Sequence, residues 1–479
     1  MRLNTFFNIL FIIGGLIALT TSCDISDNGT TDRGQLAFST DTLSFDTILT
    51  TIGSTTKQLK VYNNGKKNLI VSNIRLGKKD SPYRLNIDGV AANQLAMVEI
   101  PAKDSLYIFV EITPDESKQN LPLEIKDSII FETNQNEQNV KLLSWGQDFN
   151  AVNSGNISET HWDSKKPYLI KKPVTVPANQ TLTIDAGAKI YFHKDAAFLV
   201  RGNVIANGTL DEPIIFRSDR LESTYKNLPD QWTGIIFISG SQNNKMNHVR
   251  VTNANIGVQV GTIEHDGYST LDIRNSIIAH HGYIGLISIK SNITSYNNLI
   301  ADCGYYAASL LAGGSHDFKH TTIANYWSWS GHVRTSSSPA LQLSNVLVYK
   351  KDGKDVALIN ALNNAQFGNC IISGNLLNEV ELGNNNAAAF NYEFKNCFLQ
   401  VNNEFDTSDN NHYKNIIREG RPKYKNISKF NFQLDTLSTM KDAGDIEIGK
   451  MLPIDILGNS RTSDKGPDLG AYERIEPKE

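Results

Sequence analysis

Between residues 280 and 334 the chain places side chains whose types and spacing suit ligand stacking or proton transfer. Tyr283, Tyr305 and Trp329 recur at steps of 22 and 24 residues, with Tyr306 and Trp327 beside them. Rings presented once per structural repeat would make a stacking strip, each ring offering an apolar face and a polar edge. The same spacing also suits rings that stack on one another or fill a core. His280, His281, His316, His320 and His332 share the stretch with Asp302, Asp317, Lys319 and Arg334. Asp302 follows Ala301 as His280 follows Ala279, which puts the two in equivalent places one repeat apart. His281, Asp302 and Arg334 would supply a base, a carboxyl group and a charge neutraliser for removing a proton beside a carboxylate. His316 and His320 have the spacing of a metal pair only on a helix, and this stretch reads as strand. No metal site is expected.

The element that must position these groups is a repeat. A polar residue followed by a short apolar run returns at Asn247-His248-Val249, Asn275-Ser276-Ile277, Asn297-Asn298-Leu299 and His320-Thr321-Thr322. It returns again at Asn345-Val346-Leu347, Asn369-Cys370-Ile371 and Asn396-Cys397-Phe398, with steps that wander between 22 and 28 residues. Helical repeats hold their length more tightly, whereas a parallel β-helix has short strands and loops of free length. Asn accepts left-handed backbone geometry and can stack on the Asn of the next coil. About ten coils between residues 165 and 400, at ~4.8 Å each, make a shaft on the order of 50 Å long.

Upstream, Val176-Pro177-Ala178-Asn179-Gln180-Thr181-Leu182 and Leu199-Val200-Arg201-Gly202-Asn203-Val204 resemble the opening coils of right-handed parallel β-helix proteins of the pectin-lyase-like kind. Asp468-Leu469-Gly470-Ala471-Tyr472-Glu473 resembles the ending of many such proteins in the Bacteroidota. The resemblance spans roughly residues 155–475. It implies the fold; for activity, it makes a polysaccharide lyase built on His281, Asp302 and Arg334, with calcium only in that case, or a glycosidase with paired carboxylates, the enzymatic alternative.

Between residues 36 and 148, short strands alternate polar and apolar residues, as in Leu106-Tyr107-Ile108-Phe109-Val110-Glu111-Ile112. Some seven such strands suggest an immunoglobulin-like β-sandwich. The series Tyr62-Asn63-Asn64-Gly65, Leu69-Ile70-Val71 and Ile100-Pro101-Ala102-Lys103-Asp104-Ser105 resembles modules of the ASPM/SPD-2/hydin group, which implies a spacer.

The first 22 residues read as an address. Arg2 precedes a mostly apolar stretch at residues 6–19, too short for a comfortable membrane span but right for a signal-peptide core. Thr20-Thr21-Ser22-Cys23 resembles a lipobox, which implies acylation at Cys23 and anchoring in an outer membrane. Residues 23–35 read as a tether. The remaining cysteines, Cys303, Cys370 and Cys397, are odd in number and read as reduced packing residues. Asp41-Thr42-Leu43, Asp46-Thr47-Ile48, Asp104-Ser105-Leu106, Asp127-Ser128-Ile129 and Asp435-Thr436-Leu437 resemble the O-glycosylation signal of the Bacteroidota.

Composition agrees with this layout. The 479 residues carry 46 Lys+Arg against 50 Asp+Glu, which argues against a nucleic-acid partner. Four Cys cannot make a disulfide scaffold, and 50 Asn favour strands and turns. The expected protein is all-β: a signal peptide at 1–22, a tether at 23–35, a sandwich at 36–148, a right-handed single-stranded parallel β-helix at 155–400 and a capping segment at 401–479. Its leading functional reading is non-catalytic binding or adhesion, with polysaccharide as the ligand an aromatic strip would take. A lyase or glycosidase is the alternative, and a purely structural envelope component the third reading.

Overall fold

The computed structural model describes residues 29–134, 136–264, 267–329, 332–333 and 338–475. The chain divides into two compact units, one formed by residues up to 117 with 123–146, the other by 118–122 with everything from 147 onward. Cys23 and Arg334 lie outside the described residues.

The first unit packs a six-stranded sheet against a five-stranded one. Period-two alternation dictates which side chains meet. In Lys57–Tyr62, Leu59 and Val61 turn inward and are fully buried, as are Ile108, Val110 and Ile112 in Ser105–Ile112. They meet Val71, Ile74, Ile129 and Val140 of the other sheet in one apolar core. The tether expected to run to residue 35 is shorter, because Thr30–Thr31 pairs in parallel with Asn68 and Leu69 and extends the first sheet.

The second unit is a right-handed parallel β-helix. One face is a ten-stranded sheet running from Asn150–Val152 to Phe398–Leu399, so the coils begin a few residues earlier than expected. The other two faces belong to one seventeen-stranded sheet. Strands such as Ile284–Tyr296 and Ala308–Lys319 run through the corner between them, bending at Lys290 (φ 48°) and Ala312 (φ 54°). Inside, Ile278, Ile300, Ile323 and Ile372 stack coil upon coil, and the rings of Phe318, Phe367 and Phe394 follow one another at 5.1 and 4.6 Å. Cys303, Cys370 and Cys397 form no disulfide with one another and are fully buried.

The Asn column forms the corner leading into the ten-stranded face. His248, Asn275, Asn297, His320, Asn369, Asn396 and Asn415 all have φ between 46° and 56°. Asn275 donates to Asn247 at 2.8 Å, Asn297 to Asn275 at 3.1 Å and Asn369 to His320 at 3.0 Å. Two assignments shift. His248, not Asn247, takes the left-handed place, and Asn247 supplies the acceptor beside it. Asn345 is not on the ladder; it leads into an antiparallel hairpin, Val346–Lys351 with Lys354–Ile359, so the ladder steps from His320 to Asn369.

Residues past 400 do two jobs rather than cap one end. Tyr413–Lys414 adds a last rung, with the Tyr413 ring stacked on Phe394 at 5.9 Å. Residues 424–472 instead lie along the ten-stranded face, covering its outward Leu299, Ala301, Ala324, Ile371 and Phe398 with Tyr424, Phe432, Leu434, Leu469 and Tyr472. Strands that are apolar on both sides need cover on both, and this strap supplies the outer layer. The Asp468–Glu473 motif fastens it. Gly470 donates to Asn369 of the ladder and Ala471 to Thr322, while buried Arg461 reaches Glu473 at 3.1 Å and Asn297 at 3.3 Å.

Candidate functional site

One corner of the shaft gathers the residues with chemistry. It is the bend at which Ile277–His281 gives way to Ile284–Tyr296, repeated one coil on after Leu299–Cys303. Asn253 (φ 69°), His280 (φ 59°) and Asp302 (φ 52°) sit there in left-handed geometry on successive coils. Asn, His and Asp are the non-glycine types that take that geometry most readily. Here Asn253 donates to the carbonyls of Lys226 and Leu228, tying the loop from 221 to 231 onto the corner. Gly304, which follows Cys303 at the corner, has no room for a side chain, since a Cβ there would lie 2.0 Å from the Gly282 carbonyl oxygen.

Ala279 pairs with Ala301 and His281 with Cys303, so His280 and Asp302 stand one rung apart on the outer side. The Nδ1 of His280 lies 3.9 Å from Asp302 Oδ2, beyond hydrogen-bond reach. Asp302 Oδ1 is buried without a hydrogen-bond partner among the described residues. Burial therefore pushes the Asp302 carboxyl up to about 7, and burial, helped by Lys226, pushes His280 down to about 4.

The two line a cleft of about 480 Å³ with Tyr326, Trp327, Asn227 and the turn residues Ile427, Ser428 and Phe430. The turn belongs to the strap: Tyr424–Asn426 and Asn431–Leu434 form a hairpin, and Asn426 caps Ile427–Lys429 by accepting from the Lys429 amide. Phe430 packs on the His280 ring at 4.5 Å. The volume suits a small ligand or a short stretch of a polymer.

The residues singled out from the sequence scatter around this corner. Tyr283 and Tyr305 are exposed on adjacent coils, 41% and 46%, with ring centroids 4.7 Å apart at 60°. They make an edge-to-face pair, not a flat ladder. Tyr306 is turned aside, its hydroxyl donating to Glu381 at 3.2 Å. Trp327 is 5% exposed and lies in the cleft wall. Trp329 lies in the ribbon of Ser328–Trp329 with His332–Val333. Asp302 reaches the cleft, but His281 does not: it is fully buried, and its Nε2 donates to the Val251 carbonyl at 3.1 Å. The alternation that turns His280 outward turns His281 into the shaft. His316 and His320 are also fully enclosed. Tyr326, Phe430, Ile427, Ser428 and Asn227 were not foreseen, because loop and strap meet the corner only through tertiary packing.

The family of pectate-lyase-like β-helix domains matches residues 155–274. The second unit has a pectate-lyase-like parallel β-helix. No curated protein matches the chain. Among solved structures, pectate lyase Pel9A is similar at 12% identity over 65% of this chain and 89% of its own, with a TM-score of 0.27. A catalytic domain of a GH87 α-1,3-glucanase is similar at 10% identity over 76% and 86%, TM-score 0.18. The ASH / PapD-like domain of human CEP192 is similar at 9% identity over 27% and 96%, TM-score 0.18. These likenesses place no site.

Proposed function

We propose that this protein is a lipid-anchored envelope protein whose β-helix binds polysaccharide at the corner cleft, with the first unit as an immunoglobulin-like spacer. The observation that supports this most is the lining itself. Tyr326, Trp327 and Phe430 offer ring surface, and Asn227, Ser428, His280 and Asp302 offer polar atoms, within one cleft of polymer-segment size. Sugars present apolar CH faces rimmed by hydroxyls, so rings beside hydrogen-bonding groups suit them. Exposed Tyr283 and Tyr305 at the same corner would lengthen the contact. The test is retention of the protein in gels cast with individual polysaccharides. Binding that weakens about tenfold in the double variant Tyr283→Ala/Tyr305→Ala supports the reading, and equal mobility in every gel overturns it.

A second reading, a glycan-cleaving enzyme, is favoured by one observation: Asp302 is a carboxyl group suited to hold a proton near neutrality. Paired-carboxylate hydrolysis needs a second acid, and Asp302 is the one carboxyl among the described cleft-lining residues. Appearance of reducing ends or unsaturated products during incubation would put this reading first.

A further inference from the structure

The charge state of the cleft carries a conclusion about which polymers it takes. Asp302 Oδ1 is shut off from solvent and has no donor among the described residues. The side chain is still 18% exposed, so the part that reaches the cleft is the rest of the carboxyl group, on the side of Oδ2 and His280. A carboxylate in this position would leave a buried charge with no Lys or Arg within ion-pair distance among the described residues, a state that buried groups avoid by keeping their proton. The groups packed around it agree. On the neighbouring coil His280 is held neutral by burial and by Lys226 of the 221–231 loop, and Tyr326 stands on the next coil. The strap contributes Ile427, Ser428 and Phe430, which carry no charge. Asn227 completes the wall.

We infer that the carboxyl group of Asp302, in its acid form, donates a hydrogen bond to an uncharged sugar chain, and that the cleft turns away uronate chains. The inference rests on the polysaccharide-binding reading above and adds the class of polymer. The acid has one proton to give, and a sugar hydroxyl or ring oxygen is a matching acceptor. A uronate carboxylate entering the same cleft would lose its water without meeting a cation among the described lining residues. The fold resembles that of pectate lyases, whose name denotes an acidic polymer. The lining of this cleft departs from that.

Proton linkage makes the inference testable. Because the bound form holds the proton more tightly than the free form, affinity is flat below pH 7 and falls towards tenfold per pH unit above it. Asn in place of Asp302 keeps a donor but cannot ionise. The experiment uses the full-length protein in mild detergent, with gels containing glucan, mannan or xylan beside gels containing polygalacturonate or alginate, between pH 5 and 9. The expected result is retention by a neutral polymer that is lost above pH 7 in the wild type and persists in Asp302→Asn. Calorimetry on the wild type alone, in two buffers of different ionisation heat, should show a proton taken up on binding at pH 8, which does not depend on how the variant folds. Preferred retention by a uronate polymer, or wild-type binding with no pH dependence and no proton uptake, overturns the inference and leaves the polysaccharide reading standing. Mobility unchanged by every polymer at every pH overturns both.

Discussion

At the scale of single residues, the corner is held by contacts that tolerate little change. Gly304 lies where any Cβ would strike the backbone carbonyl of Gly282, at 2.0 Å. Gly304→Ala is expected to cost about 1–3 kcal/mol by overpacking, read as a lower Tm in thermal unfolding. His281 gives a pH signature. Burial pushes it down to about 3, whereas the unfolded chain protonates it near the usual 6.5. The unfolded state therefore binds the proton first, and the stability His281 contributes is present above pH 6.5 and drains away as pH falls towards 3. Asp302 has the opposite sign: its raised value favours the folded state at low pH, and that contribution is lost between about pH 4 and 7. Removing one proton-linked group isolates its share. His281→Gln is expected to show a shallower fall in Tm between pH 6.5 and 4 than the wild type, and parallel curves would remove His281 from this account.

At the scale of elements, the shaft and the strap are one construction. The strap covers the outward apolar residues of the ten-stranded face, and its hairpin supplies one wall of the cleft. Arg461 is its fastening, fully buried among Glu473, Asn297 and the Gly470 carbonyl. Arg461→Ala would leave the buried Glu473 carboxyl, already pushed up to about 8 by burial, and the Gly470 carbonyl without their donor, and is expected to cost about 1–3 kcal/mol for each group left unpaired. Denaturant unfolding measures the loss. Hydrogen exchange should show it concentrated in residues 424–475, with polysaccharide binding weakened because Phe430 loses its seat on His280. The interior gives an independent check. Phe367 lies between Phe318 and Phe394, and Phe367→Ala is expected to cost about 3–5 kcal/mol without changing the pH dependence of binding.

At the scale of the whole molecule, the proposal is an anchored binder, and the anchor is a separate claim from the cleft. Cys23→Ser is expected to abolish incorporation of a labelled fatty acid and to move the protein from the membrane to the soluble fraction, while retention by polysaccharide persists. Fatty-acid labelling that survives Cys23→Ser would assign acylation elsewhere. The two compact units need no shared chemistry for this: the sandwich has its own core, and the residues of the cleft all belong to the second unit.

Much of the architecture was legible in the sequence because it is local and periodic. Alternation in segments such as residues 105–112 announces a half-buried strand. The recurring Asn announces a corner that few other residues tolerate, and it located the coils to within a residue at His248 and failed only where the chain leaves the shaft at Asn345. Period two also limits what sequence can say about a site. It makes His280 and His281 equally eligible, and only packing decided that His280 faces the cleft and His281 the core. The remaining walls come from afar: Asn227 from a loop tied down by Asn253, and Phe430 from a strap drawn back by more than a hundred residues onto the face it covers. Local pattern determined the coils, because each strand must bury one side of itself. The tertiary structure decided the cleft and the charge state of Asp302, because burial is a property of what the rest of the chain brings to a residue.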